Sequence, residues 1–224
     1  MKKIAGVIFD LDGTLIDSLA AYTMAFNRTV ERYQLLPIDI REITDLLNQF
    51  ISLDQMLHRT YPHLSAEARA GFMKEMRNEF IALSAEHITL KPHAREVLGK
   101  LKGQGKKIGI ATGRMSEGDS KWRELRNLHI DDLVDAVVTA GETKPKPDPA
   151  SLIKCAFDLG LSLDECVFVG DSRADIIAAR SAGVTSIAIP GGVASRQDLA
   201  AEQPHYIIDS LAMLPGQLYA LCAA

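Results

Sequence analysis

Four stretches of the chain are largely apolar at consecutive rather than alternate positions: residues 4–9, 107–111, 166–169 and 185–189, with a weaker one at 136–139. Runs of this kind with β-branched content predict strands buried on both faces, as in a parallel sheet. Between them, apolar residues recur at helical spacing over 93–104, 117–128, 149–159 and 173–182. Strands alternating with helices predict an α/β fold with a central parallel sheet. One segment departs from the alternation. From about residue 18 to about residue 88 every periodic stretch reads as helix. These stretches are 18–34, with Ser18 as a candidate cap, then 38–49, 53–58 and 65–85, punctuated by Pro37 and Pro62. About 70 residues are too many for a connecting loop and suit a small all-α domain. The expected division is a core of 1–16 and 89–224 with an inserted helical unit at 17–88.

Composition narrows the class without naming a chemistry. The 224 residues are enough for one core with a modest appended domain. Hydrophobic residues make up 47% and charged ones 24%, which are globular values. A net charge of −4 with no basic stripe, and only 6% aromatic residues, argues against a nucleic-acid partner. No apolar run approaches membrane-spanning length. The first run meets Asp10 too soon for a signal peptide. Cys155, Cys166 and Cys222 are far apart and form no C-x-x-C pair, which fits a reducing compartment and no structural zinc. The expectation is a cytoplasmic protein, monomer or homodimer, with no membrane partner.

Open parallel sheets bind ligands beyond the carboxyl ends of their strands. Asp10 and Asp12 follow the first predicted strand, and Thr112 and Gly113 the second. Lys144 and Lys146 lie beyond the weak one, and Asp171, Ser172 and Asp175 follow the next. Four carboxylates on one rim cannot all ionise without a cation. An all-oxygen set lacking His and Cys suits a hard divalent ion, and Mg2+ is the usual choice where phosphate shares the site. A carboxylate can attack phosphorus. A second carboxyl can protonate the leaving alcohol and then deprotonate water. Asp10 and Asp12 supply both groups, and Gly13 permits a tight turn that brings backbone N–H groups toward an anion. The Thr112 hydroxyl and Gly113 amide are candidates for holding phosphate oxygens, and a lysine for neutralising their charge.

The run Phe9-Asp10-Leu11-Asp12-Gly13-Thr14-Leu15 resembles the first motif of the haloacid dehalogenase (HAD) superfamily. Gly170-Asp171-Ser172-Arg173-Ala174-Asp175 resembles its fourth. Thr112 at a strand end and a lysine in a Lys-Pro-x-Pro setting match the motifs between, and the helical insertion is similar to the C1-type cap. The resemblance spans essentially the whole chain and points to the phosphoglycolate phosphatase-like subgroup. It implies a Rossmann-like core carrying an all-α cap. It implies Asp10 as nucleophile, Asp12 as acid/base, and Mg2+ held by the Asp10 and Asp171 side chains and the Asp12 backbone carbonyl. Asp175 would support the metal shell or the lysine, and the Leu11 and Gly113 amides would touch phosphate. Lys144-Pro145-Lys146-Pro147-Asp148-Pro149 fits the lysine motif in two registers. Lys146 is preferred, because Gly160 then falls at the end of the following helix. The implied reaction is hydrolysis of a small phosphorylated metabolite through an aspartyl-phosphate. Phosphoglycolate, sugar phosphates, nucleoside monophosphates and pyrophosphate are all open as substrates.

Other functions on the same fold are weaker. Similar sugar phosphomutases carry a histidine where this chain has Tyr22, and similar dehalogenases lack the second aspartate that is Asp12 here. A catalytically silent binding or regulatory protein is disfavoured by the intact motif positions. Arg114 follows Thr112-Gly113 where many relatives carry Asn or Ser. It is a candidate substrate contact, with a solvated loop arginine as the plainer reading. Tyr22, Asn27, Arg28, Asn48, Arg59 and Arg77 are the candidate contacts in the insertion, each equally readable as a solvated face residue. Gly191-Gly192 reads as a turn.

Overall fold

A computed structural model describes residues 3–49 and 51–223. It begins with β1 (Gly6–Phe9) and a two-residue β2 (Ile16–Asp17). Four helices follow: α1 (Leu19–Arg32), α2 (Ile40–Leu47), α3 (Leu53–Thr60) and α4 (Ala66–His87). After β3 (Thr89–Leu90) the chain alternates through α5 (Ala94–Gly103), β4 (Lys107–Thr112), α6 (Arg123–Asn127), β5 (Ala136–Thr139) and α7 (Ala150–Asp158). It continues with β6 (Cys166–Gly170), α8 (Arg173–Ala182), β7 (Thr185–Ala188), α9 (Arg196–Ala201), β8 (Tyr206–Ile207) and α10 (Leu214–Ala223). Two units result, one of 1–17 with 89–224 and one of 18–88.

In the first unit six strands form a parallel sheet in the order β5-β4-β1-β6-β7-β8. Phe9 is opposite Ile110 on one side and Val169 on the other, so the three central strands end at about one level. Consecutive residues Val7, Ile8 and Phe9, and likewise Val167, Phe168 and Val169, are all inaccessible to solvent. Burial on both faces is why the sequence shows runs instead of alternation. Ile8, Ala111, Val138 and Phe168 pack against Leu152 and Cys155 of α7 and against Ala178 and Ala179 of α8. Each fully buried large apolar side chain contributes roughly 1.5–3 kcal/mol. β2 and β3 pair antiparallel, Ile16 with Leu90 and Asp17 with Thr89, and so join the two ends of the inserted segment.

The helix expected over 117–128 is not continuous. Gly118–Trp122 is a 3-10 turn and only Arg123–Asn127 is α-helical. Gly118 has φ +53°, outside the helical region, and Asp119 and Ser120 are poor helix formers. The short β2, β3 and β8 and helices α9 and α10 have no counterpart in the sequence pattern.

In the second unit, Phe26, Ile43, Met56, Leu57, Phe72 and Met76 form the centre of the helical core. The Phe72 ring meets those of Phe26 and Tyr33 at 5.4 and 5.3 Å between centroids. Asp39, Ser52 and Ser65 cap α2, α3 and α4 by accepting a backbone N–H three residues on. Ser18 stands at the corresponding place before α1 but makes no capping bond there. Burial of Ala21, Ala25, Phe26 and Val30 along one face accounts for that helix instead. Among the described residues no helix is long and apolar enough to cross a membrane.

Candidate active site

Asp10 is the first residue past β1, and its N–H still donates to the Val169 carbonyl at 2.8 Å. The residue thereby stands between the ends of β4 and β6. Lys146 reaches it from the loop after β5. The Lys146 ammonium donates to Asp10 Oδ1 at 2.5 Å, to Asp175 Oδ1 at 2.6 Å and to the Ala111 carbonyl at 3.0 Å, and lies 5.5 Å from the Phe168 ring centroid. All three charged side chains are buried. Lys144, the other register, has an exposed side chain whose ammonium lies 4.0 Å from Asp148.

Asp175 is set by the start of α8. Its Oδ2 accepts from the Ser172 N–H and hydroxyl, while its own N–H donates to Ser172 Oγ, a reciprocal cap. That leaves Oδ1 for Lys146. Asp171, at the end of β6, is gripped from two sides. Thr14 Oγ1 donates to Oδ1 at 2.8 Å and the Val193 N–H donates to Oδ2 at 3.0 Å. A Cβ on Gly192 would lie 1.7 Å from Asp171 Oδ2, so the 191–193 turn can approach the carboxylate only as glycine. Gly13 has φ +89° and presses on the same carboxylate. The loop from β1 to β2, which carries Gly13, folds back on itself, with the Leu11 carbonyl accepting from the Leu15 and Ile16 N–H groups.

The electrostatics follow from this crowding. Burial pushes the Asp10 carboxyl well above its ordinary range; Lys146 pulls it back while Asp175, Asp171 and Asp12 push it further. Asp171 is pushed up to about 7, by burial first and then by Asp175, against the hydrogen bonds from Thr14 and Val193. Burial would lower the Lys146 ammonium, but Asp10 and Asp175 raise it overall. One carboxylate oxygen from each of Asp10, Asp171 and Asp175 lies within 4.8 Å of the others. A buried, all-oxygen, electron-rich cluster of this kind fits a hard divalent cation.

Asp12 lies two residues beyond Asp10, in the loop before β2. Its oxygens accept from Arg114 Nε at 2.9 Å and Nη2 at 2.8 Å, and Thr112 Oγ1 stands 3.5 Å from Oδ2. Arg114 is therefore not the solvated loop residue of the plainer sequence reading; its side chain is mostly buried, and Glu124 accepts from its Nη1 at 3.2 Å. Thr112 ends β4 and Gly113 follows it with open space beside its Cα.

In the helical unit several candidates have structural duties. Asn27 exchanges hydrogen bonds with the backbone of Ile38, Arg28 pairs with Glu79, and Arg59 donates to Gln49. The Tyr22 ring packs edge-on to Phe80, Asn48 ends α2, and Arg77 is exposed on α4. Sequence reasoning gave no site role to Thr14, Val193 and Glu124, and read Gly192 only as part of a turn. Thr14 lay inside the first motif and its hydroxyl was a usable signal. Val193 acts through its backbone N–H, which no side-chain pattern reports.

Comparison with known proteins agrees with this architecture. The family model for haloacid dehalogenase-like hydrolases matches residues 7–189. A phosphoglycolate phosphatase from Chromobacterium violaceum is 31% identical, over 90% of this chain and 92% of its own. The pyrophosphatase PpaX of Bacillus velezensis is 28% identical, over 95% of each. A crystal structure of a predicted phosphoglycolate phosphatase from Haemophilus somnus shares the fold with a TM-score of 0.85 at 24% identity, covering 97% of this chain and 99% of the other. With the family model spanning both sheet halves and the insertion between them, the chain belongs to the haloacid dehalogenase-like hydrolases, in their phosphoglycolate phosphatase-like branch.

Proposed function

We propose that this protein is a Mg2+-dependent phosphatase that hydrolyses a small phosphomonoester through an aspartyl-phosphate on Asp10. The observation that carries the reading is the buried set of Asp10, Lys146 and Asp175 with Asp171 beside it, at the carboxyl ends of parallel strands. Asp10 and Asp171 would hold Mg2+ by their side chains and Asp12 by its backbone carbonyl, with Asp175 steadying the site. When bound, the ion would offset carboxylate repulsion and reduce the negative charge facing the nucleophile.

An Asp10 oxygen attacks phosphorus, the bond from phosphorus to the leaving oxygen breaks, and Asp12 hands that oxygen its proton. A water molecule then gives a proton to Asp12 and attacks the phosphorus. The phosphorus–Asp10 bond breaks, and inorganic phosphate leaves with Asp10 restored. Lys146 holds Asp10 and balances charge on the transferring group, while the Thr112 hydroxyl and the Leu11 and Gly113 amides bind phosphate oxygens. Phosphoglycolate is the first substrate to try, and pyrophosphate, an anhydride that the same attack on phosphorus would cleave, belongs beside it because a similar protein is named a pyrophosphatase.

The test is a phosphate-release screen with Mg2+ over phosphorylated metabolites, comparing wild type with Asp10→Asn. The variant should lose activity by about 10³-fold or more while its circular dichroism is unchanged. Substantial turnover by folded Asp10→Asn would remove Asp10 from the role of nucleophile.

A further inference from the structure

Resting on the reading of Asp12 as the acid/base, we propose that Arg114 is the positioning residue of Asp12 and that Glu124 anchors Arg114 in that role. Arg114 meets Asp12 with two nitrogens on two oxygens, at 2.9 and 2.8 Å. This planar fork fixes the rotation of the carboxylate about its Cβ–Cγ bond, which a single ammonium contact cannot do. Asp12 must present an oxygen first to the leaving group and then to water, so one fixed orientation serves both steps.

The guanidinium is held on its other side as well. Nη1 donates to Glu124 Oε2 at 3.2 Å, and the Arg114 N–H donates to Thr112 Oγ1 at 3.2 Å. Glu124 is a buried carboxylate on α6, and its Oε1 has no hydrogen-bond partner among the described residues. Burying a charge is unfavourable unless it is paired, so the ion pair with Arg114 is what makes its place tenable. Three guanidinium nitrogens are thus committed to carboxylates. That geometry suits a residue acting through Asp12 and leaves it poorly disposed to bind substrate directly.

A double-mutant cycle tests this, with kcat and KM measured on p-nitrophenyl phosphate in saturating Mg2+. Its activated leaving group keeps Asp12→Ala measurable. Arg114→Ala should lower kcat by about tenfold or more with KM changed less than about threefold. In the Asp12→Ala background the same substitution should cost nothing further, within about twofold, because a residue acting only through Asp12 has nothing left to act on. Arg114→Lys should recover part of kcat, and Glu124→Gln should show a smaller loss that also vanishes without Asp12. A raised KM at unchanged kcat, or losses that multiply in the double variant, would overturn the proposal. If Arg114→Ala does not fold, Arg114→Lys and Glu124→Gln complete the same cycle. A wild type that is active while folded Asp12→Ala is undiminished both on p-nitrophenyl phosphate and on an alkyl phosphate, whose leaving oxygen needs a proton, would instead remove the acid/base role of Asp12, and the positioning role with it.

Discussion

Asp171 concentrates the cost of this site in one side chain. Its carboxyl is almost fully buried and is pushed up to about 7 from an ordinary 3.8. Between those values the native protein holds a proton that the unfolded chain has released. The contribution of Asp171 to the stability of the metal-free protein therefore falls as pH rises through that window and levels off above about 7. Asp10, raised for the same reasons, adds to the trend. A cation ligated by these carboxylates acts in the opposite sense, and binds best where they are already deprotonated. Mg2+ should accordingly raise the melting temperature more at pH 8 than at pH 5, as scanning calorimetry at both values would report. An equal shift at the two values would contradict this account. The residues that gather here were readable as strand-end carboxylates and a lysine. Their supports were less so, because the Val193 N–H and the close approach of Gly192 belong to the backbone, and Arg114 was readable as a candidate substrate contact or a solvated loop arginine but not as the partner of Asp12.

At the level of elements, the start of α8 couples helix stability to the site. Ser172 caps the helix and at the same time uses up Asp175 Oδ2, which aims Oδ1 at Lys146. Ser172→Ala should destabilise the core unit by about 1 kcal/mol in urea titration, the usual value of a lost cap. It should also lower kcat on the best substrate, since Asp175 gains freedom to rotate. A stability loss with unchanged kcat would separate the two effects. β1, β4, β6 and β7 were legible because they are largely apolar at consecutive positions, the polar exceptions Lys107, Thr112, Thr185 and Ser186 standing at the strand ends or next to them. The segment 117–128 was misread because two leucines at helical spacing outweighed Gly118, whose backbone conformation closes the helix off. β2, β3 and β8 are two residues each, too short to carry any period.

At the scale of the whole molecule, the β2–β3 ribbon has a practical meaning. Asp17 and Thr89 are partners across a strand gap, a separation of about 5 Å. A short Gly/Ser linker can bridge that distance, so a chain with 18–88 replaced by such a linker should still fold its core. Cooperative thermal unfolding by circular dichroism would be the evidence, and a molten, non-cooperative product would refute it. The order of the main sheet has its own consequence. The strands without a second neighbour are β5, four residues long and wholly buried, and β8, only two residues long. Neither offers another chain a long, exposed ladder of unpaired backbone groups. Growth of the sheet ends in buried backbone at β5 and after two residues at β8, so a protein built around six aligned strands is protected from edge-to-edge aggregation by where its pairing stops.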